Sequence, residues 1–390
     1  MLKIKNPIVF FFVLWLFVLY LYSKQYSLLL TDLNNLTIIY ILLTGLSLLI
    51  SYCFVRMLFT HKFFEKKKVY DVNFGVTNFR LKKIFKIWLF FTLIEVIYFK
   101  GLPLLSLIGI GSGRYTEWGI PSLHGFLNAM VITFSNYLFY FYLKKKDKKY
   151  LYGFLVCILW PILLMTRQMF MSMIIMATII YILTNKIKLA AMLKVVFCLC
   201  LVIYVFGWAG DLRSGSSIAF INLVQPSSDY PTWLPSGFLW VYVYMVSPLN
   251  NLNFNIDIFP NLHFDPSPLI SSFFPSFLRK EIFPSSNQFN FQLVNENLNV
   301  SSMFPKYLDS FGYFGSLLFY FFLGLFISFV YFKFKSKNTS IKWLFILVII
   351  FHNIILSVFV DFFFNLVFLF QMFLHLYIAK SPKKKTYVKN

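Results

Sequence analysis

Apolar runs of about 20 residues recur along the chain, separated by short basic segments, and that rhythm leaves few foldable forms. Each run is long enough to cross a bilayer as a helix. Of the 390 residues, 59% are hydrophobic, a share that no soluble domain of this size can bury. A membrane β-barrel would show weak alternation over about ten residues per strand, whereas these runs are continuous. The pattern predicts an all-α, polytopic helical membrane protein with about ten spans. They fall at 7–22, 36–59, 84–99, 123–143, 151–166, 168–184, 189–209, 316–334, 341–358 and 362–378. Lys3 and Lys5 precede the first run as in a signal peptide, but no small-residue cleavage site follows, so it is read as an anchor. Cys53, Cys157, Cys198 and Cys200 all lie inside apolar runs, which argues against a disulfide framework.

A formal charge of +22 raises nucleic acid as a partner until the placement of the charge is read. Lysines at 144–149 precede the apolar stretch 151–183, and Lys186 and Lys188 follow it. Basic flanks mark cytoplasmic ends, so the stretch must be a hairpin turning at Thr166, Arg167 and Gln168. The same argument makes 341–378 a hairpin with Asp361 at its turn. With ten spans both termini are cytoplasmic, and most Lys and Arg residues fall on that side. The charge is therefore topological: it implies membrane lipids as partners and not nucleic acid.

The longest polar stretch, 210–315, is rich in Pro, Asn and Ser and lies on the outer side. A loop of that length is usually functional. It divides the chain into an N-terminal membrane bundle (1–209), a large extracytoplasmic loop (210–315) and a C-terminal bundle with a basic tail (316–390). Within the loop, 236–246 is apolar but too short to span. It is expected to be an interfacial or re-entrant helix ended by Pro248. No internal repeat is evident, which weakens a transporter reading.

Where arginine stands in place of lysine is informative. Of the six arginines, only Arg56 and Arg80 fall on the inner side. Arg114, Arg167 and Arg213 sit at outer membrane edges, and Arg279 lies beside Lys280 in the loop. Retention by charge needs only lysine, whereas a planar guanidinium holds phosphate or carboxylate bidentately. Snorkelling to the headgroups is the simpler explanation for any one of the three edge arginines. Arg114 lies in a glycine-rich segment, 109–125, whose backbone can form an anion nest or a plain flexible turn. Ten residues on, His124 is the favoured general base, with Glu117, Asp211, Asp309 and Asp361 as other choices. A lone histidine is more often a packing or capping residue. His352 falls within a span, where helix–helix hydrogen bonding is the stronger expectation, and His61 and His375 lie near the cytoplasmic side. Tyr230, Trp233, Trp240, Tyr242 and Tyr244 are either an interfacial aromatic belt or a surface for stacking on sugars.

The segments GSGRYTEWGIPSLHGFLNAM (111–130), LLMTRQMF (163–170) and GDLRSG (210–215), together with the span pattern, resemble the Wzy-type oligosaccharide repeat-unit polymerases. The resemblance implies a GT-C-like polymerase or ligase architecture and an inner-membrane glycosyltransferase. Such an enzyme transfers a growing glycan en bloc from undecaprenyl diphosphate to the sugar hydroxyl of an incoming lipid-linked unit. It also implies a chain-length regulator protein as partner, and neither nucleotide sugar nor other cofactor. No Asp-x-Asp pattern suggests a metal site. On this reading His124, Arg213 and Asp211 are catalytic, and Arg114, Arg167, Arg213 and Arg279 bind the diphosphate. Tyr115, Gln168, Trp233, Lys306 and Asp309 contact glycan. O-antigen ligase, membrane O-acyltransferase and polysaccharide flippase are the alternatives. The long outer loop opposes a flippase, and this chain lacks the histidine that an acyltransferase is expected to carry in its first span.

Overall fold

The computed structural model describes residues 5–59, 74–107, 117–185, 224–231, 233–283, 291–296, 298–336 and 340–380, with isolated positions at 109, 111, 193, 197, 200, 201, 203 and 204. The described residues are helical, and β-structure among them is limited to two isolated bridges, Ser27 with Pro226 and Ser302 with Val360. The helices are α1 (Pro7–Tyr22), α2 (Asn35–Leu58), α3 (Phe74–Tyr98), α4 (Pro103–Leu107), α5 (Leu123–Lys145), α6 (Lys148–Leu163) and α7 (Arg167–Thr184). After the segment around 189–209, which lies almost wholly outside the described residues, come α8 (Ser236–Asn255), α9 (Ser267–Ser271), α10 (Ser276–Ile282), α11 (Phe304–Lys335), α12 (Ile341–Leu356) and α13 (Leu366–Ile378). Five stretches are long and apolar enough to cross a membrane: Asn35–Leu58, Thr77–Ser106 (α3 with α4), Leu123–Lys145, Arg167–Thr184 and Phe304–Lys335. Pro7–Tyr22, Ile341–Leu356 and Leu366–Ile378 are apolar but shorter.

Several helices start where a short polar side chain replaces a missing backbone acceptor. Asn6, Asn34, Asp147 and Asn365 accept from the amides of Ile8, Leu36, Lys149 and Val367, capping α1, α2, α6 and α13. Both expected hairpins are present: α6 turns into α7 through Leu164–Thr166, and α12 into α13 through 357–365. The ends of the bundle can be followed by hydrogen bonds. Lys5 reaches the carbonyl of Asn185 after α7, and Arg80 near the start of α3 caps the carbonyls of Tyr377 and Ile378 at the end of α13. At the other end, the hydroxyl of Ser27 donates to the carbonyl of Val224, and Ser302 pairs with Phe359.

The core is aromatic. Trp15, Tyr40 and Tyr320 surround Phe304, with Trp15 at 4.6 Å between ring centroids, and the hydroxyl of Tyr40 bonds Ser316 at 2.9 Å. α11 packs closely along α2, because Gly324 lies where any Cβ would collide with Ser51.

One expectation about 210–315 is overturned and another is extended. The helix beginning at Ser236 does not end at Pro248; α8 runs through it to Asn255. Pro248 costs a backbone bond, about 3 kcal/mol in an ordinary helix interior. Four asparagines just beyond it offset that cost by holding neighbouring loops. Asn250 donates to the carbonyl of Leu29, Asn253 to Asp32, Asn251 to Leu298 and Val300, and Asn255 to Gln292. The last membrane-length helix contains the expected span 316–334 but starts earlier, at Phe304, and breaks at Gly312 (φ 64°, ψ −170°), a conformation open essentially to glycine alone. The chain at 260–265 fills the break. Tyr313 and Phe314 donate to the carbonyls of Pro260 and Asn261, while Ser310 and Phe311 accept from Asp265 and His263. An interrupted membrane helix survives only when its freed backbone groups are satisfied in this way.

Candidate functional site

At the end of the bundle where α5, α11 and α13 begin lies a cleft of about 280 Å³. Its walls carry Ser122 and Phe126 from α5, Arg279 from α10, Lys306 from α11, and Asp361 and Asn365 from the α12–α13 turn. Ser122 holds an unusual φ of +69° for a residue with a side chain, so this rim is conformationally strained.

Lys306 organises the cleft. Its ammonium lies 3.1 Å from Oδ2 of Asp361 and donates to Oγ of Ser272 at 2.7 Å and to the carbonyl of Phe364 at 3.4 Å. Asp361 is deeply buried and also accepts from the hydroxyl of Tyr307 (2.8 Å) and the amide of Phe363 (2.9 Å). Arg279 is half-buried. It spends Nε on the carbonyl of Ser271 (2.9 Å) and one Nη on that of Phe274 (3.2 Å) while lining the cleft. Two cations thus meet one carboxylate, and the excess positive charge suits an anionic ligand.

Next to this cleft, α5 carries His124. Its Nδ1 lies 3.1 Å from Oε2 of Glu95 on α3, and its Nε2 lies 3.0 Å from Nδ2 of Asn128, one turn further on. The amide of Ile120 donates to the other oxygen of Glu95 at 3.0 Å. His124 is partly exposed and Glu95 fully buried. The cleft is lined at this end by Ser122, Gly125 and Phe126, the chain neighbours of His124 on either side.

The remaining expected site residues are distributed as follows. Arg114, Tyr115, Asp211 and Arg213 lie outside the described residues. Arg167 and Gln168 are exposed at the first turn of α7, Arg167 two residues after Met165 with φ +57°. Ser172, five residues along the same helix, bonds Nε2 of His352 at 2.9 Å, and His352 packs on Phe362 and Phe368 flanking the Asp361 turn. His352 therefore serves helix–helix bonding, as expected. Asp309 is half-buried and near Asp265 and His263, apart from the Lys306–Asp361 pair. Trp233 is 80% exposed and in no wall of the cleft. Tyr242 is not free for sugar stacking: it is buried, and its oxygen accepts from the amide of Tyr26.

Glu95 was missed in the sequence. Its signal was present, since it is a lone carboxylate in the apolar run 84–99, but nothing local names its partner, 29 residues away. Among the described residues, no three His, Cys, Asp or Glu side chains are grouped so as to hold a metal ion. No family model matches the chain, no curated protein matches it, and no solved structure matches it.

Proposed function

We propose that this chain is a glycosyltransferase that polymerises undecaprenyl-diphosphate-linked oligosaccharide repeat units at the outer face of a bacterial plasma membrane. The observation that supports it most is the convergence of Arg279 and Lys306 on one small cleft beside the end of α5 that carries His124. A departing lipid diphosphate gathers negative charge on its bridging oxygen, and fixed cations at that point lower the barrier. Arg279 and Lys306 fill that role, with Arg114, Arg167 and Arg213 as the further members drawn from the sequence. The acceptor hydroxyl oxygen bonds to the anomeric carbon as the bond from that carbon to the diphosphate breaks. The leaving lipid diphosphate keeps the electron pair, and the hydroxyl proton passes to His124. The reading includes about ten spans, cytoplasmic termini, a GT-C-like arrangement and a chain-length regulator as partner.

Deleting the gene in its host tests the reading. Surface glycan reduced to single attached repeat units, with the protein restoring the ladder, is the expected result. Loss of all attached units would instead indicate ligation or flipping. An intact ladder lacking acetyl groups would indicate acyl transfer, and either outcome overturns the polymerase assignment.

A further inference from the structure

The surroundings of His124 fix the orientation of its ring. Glu95 sits in a membrane-length helix with no exposed surface, where an unpaired carboxylate is costly, and both its oxygens are engaged. One accepts from the amide of Ile120, and the other faces Nδ1 of His124. An ionised carboxylate can only accept, so this contact pairs Glu95 with a proton on Nδ1 and puts Nε2 on the opposite side of the ring, facing Asn128. The ring cannot turn away from this contact. Trp118 meets it edge-on at 5.1 Å, and Gly119 lies so close that a Cβ there would come within 2.6 Å of His124 Cγ. The indole is fixed in turn by a 2.8 Å bond from its Nε1 to the carbonyl of Gly101.

Asn128 is the second observation. Its Nδ2 faces Nε2 of His124 at 3.0 Å, while its own Oδ1 is buried with no partner among the described residues. With Nε2 unprotonated, the amide donates to it. Once Nε2 takes a proton, the same amide turned over presents Oδ1 as an acceptor. The site is thus furnished for both states of the ring, which is what a group that gains and releases a proton requires.

We infer that Glu95 is a positioning residue that sets the Nδ1–H tautomer of His124 and, with Asn128, prepares Nε2 to receive the acceptor's proton. The inference rests on the polymerase reading for the source of that proton, but the tautomer itself does not depend on it. In the transfer step, the acceptor hydroxyl displaces the Asn128 amide from Nε2 and its proton moves to Nε2 as the new glycosidic bond forms and the bond to the lipid diphosphate breaks. The resulting imidazolium is flanked by the Glu95 carboxylate and the turned Asn128 carbonyl. Release of the proton to water restores the resting state.

The test has two arms, both on the full-length protein in lipid nanodiscs. In the first, histidines are labelled with 15N, and the resonance pair absent from His124→Gln identifies this ring among the five histidines. A proton on Nδ1 is expected, and a proton on Nε2 would overturn the inference. In the second, Glu95→Gln retains an oxygen for Ile120 but offers an N–H to Nδ1, inverting the tautomer. Its kcat for chain extension is expected to fall by about 100-fold or more with KM unchanged, while its melting temperature stays close to wild type. A wild-type kcat in folded Glu95→Gln sinks the inference. If the variant fails to insert, the wild-type resonance alone decides. If the wild-type protein extends no chain, the polymerase reading fails and the first arm still judges Glu95.

Discussion

The ammonium of Lys306 and the carboxylate of Asp361, 3.1 Å apart, join the start of α11 to the turn between two later helices. Tyr307 and Phe363 donate to the other carboxylate oxygen, so one buried anion holds three points of backbone together. Removing one member of such a pair strands the other. Asp361→Ala is expected to cost about 3–5 kcal/mol, seen as a large drop in melting temperature in nanodiscs. Lys306→Ala should destabilise comparably. A melting temperature within a degree of wild type for both would show that the pair contributes no stability.

The arginine substitutions separate charge from geometry. Arg279→Lys keeps the charge but loses the forked grip on Ser271 and Phe274. Together with Arg167→Lys and Arg213→Lys, it is expected to shorten the glycan ladder at unchanged protein level in the membrane. Normal ladders from all three would dismiss the idea of a guanidinium clamp.

Asn250 offers a test of the framework that α8 gives to the loop 29–34. Its Oδ1 accepts from the hydroxyl of Tyr22 (2.6 Å) and from the amide and hydroxyl of Thr31 (3.0 Å each). Asn250→Leu leaves the Thr31 amide unpaired and frees the carbonyl of Leu29, a loss of about 2–4 kcal/mol. Tyr22→Phe removes one hydroxyl donor, shared between Oδ1 of Asn250 (2.6 Å) and the carbonyl of Thr31 (2.7 Å), and should cost about 1 kcal/mol, because the Thr31 amide keeps its partner. Equal losses from the two substitutions would contradict this order.

Gly312→Ala puts a methyl group 2.6 Å from the carbonyl oxygen of Pro260, at a φ that other residues rarely adopt. The expected penalty is about 3 kcal/mol or more, with faster hydrogen exchange at His263, Asp265, Tyr313 and Phe314. Unchanged exchange there would show that the break tolerates a side chain.

Asp265 accepts from the amide of Ser267 at 3.0 Å, capping α9. The side chain and amide of Ser267 hold its carboxyl below the ordinary carboxylate range. A depressed folded value means the stabilisation is complete above the unfolded value, about pH 4, and is lost as pH falls through the folded one. Hydrogen exchange in 267–271 should be steady from neutral pH to about 4 after correction for intrinsic rates, then rise. Asp265→Asn should remove that step, and a step persisting in the variant would assign it elsewhere.

Charge and hydropathy carried much of the fold because they are local signals. Lysines on both sides of 151–183 and of 341–378 required two hairpins, and each stretch does fold as two helices, the first turning at 164–166, just before Arg167. The start of α11 was hidden because Lys306, Asp309 and Ser310 dilute the apolar run, although they sit inside the helix. The passage of α8 through Pro248 was also illegible, since the bonds that offset the proline come from loops far away in sequence. The candidate site divides similarly. Arg279, Lys306 and His124 could be chosen by residue type, but their neighbours could not. Asp361 acquires its role only when the α12–α13 turn meets α11, and Glu95 only when α3 meets α5.

The asparagines of α8 hold their loops mostly by main-chain atoms: the carbonyls of Leu29, Asp32, Gln292, Leu298 and Val300, and the amides of Thr31, Asn34, Gln292 and Val294. A grip on the main chain is indifferent to the side chains that hang from it. Most outward-facing residues of 29–34 and 291–300 can therefore be exchanged one by one while the loops keep their shape. In evolutionary terms, this face can drift rapidly in sequence without drifting in form.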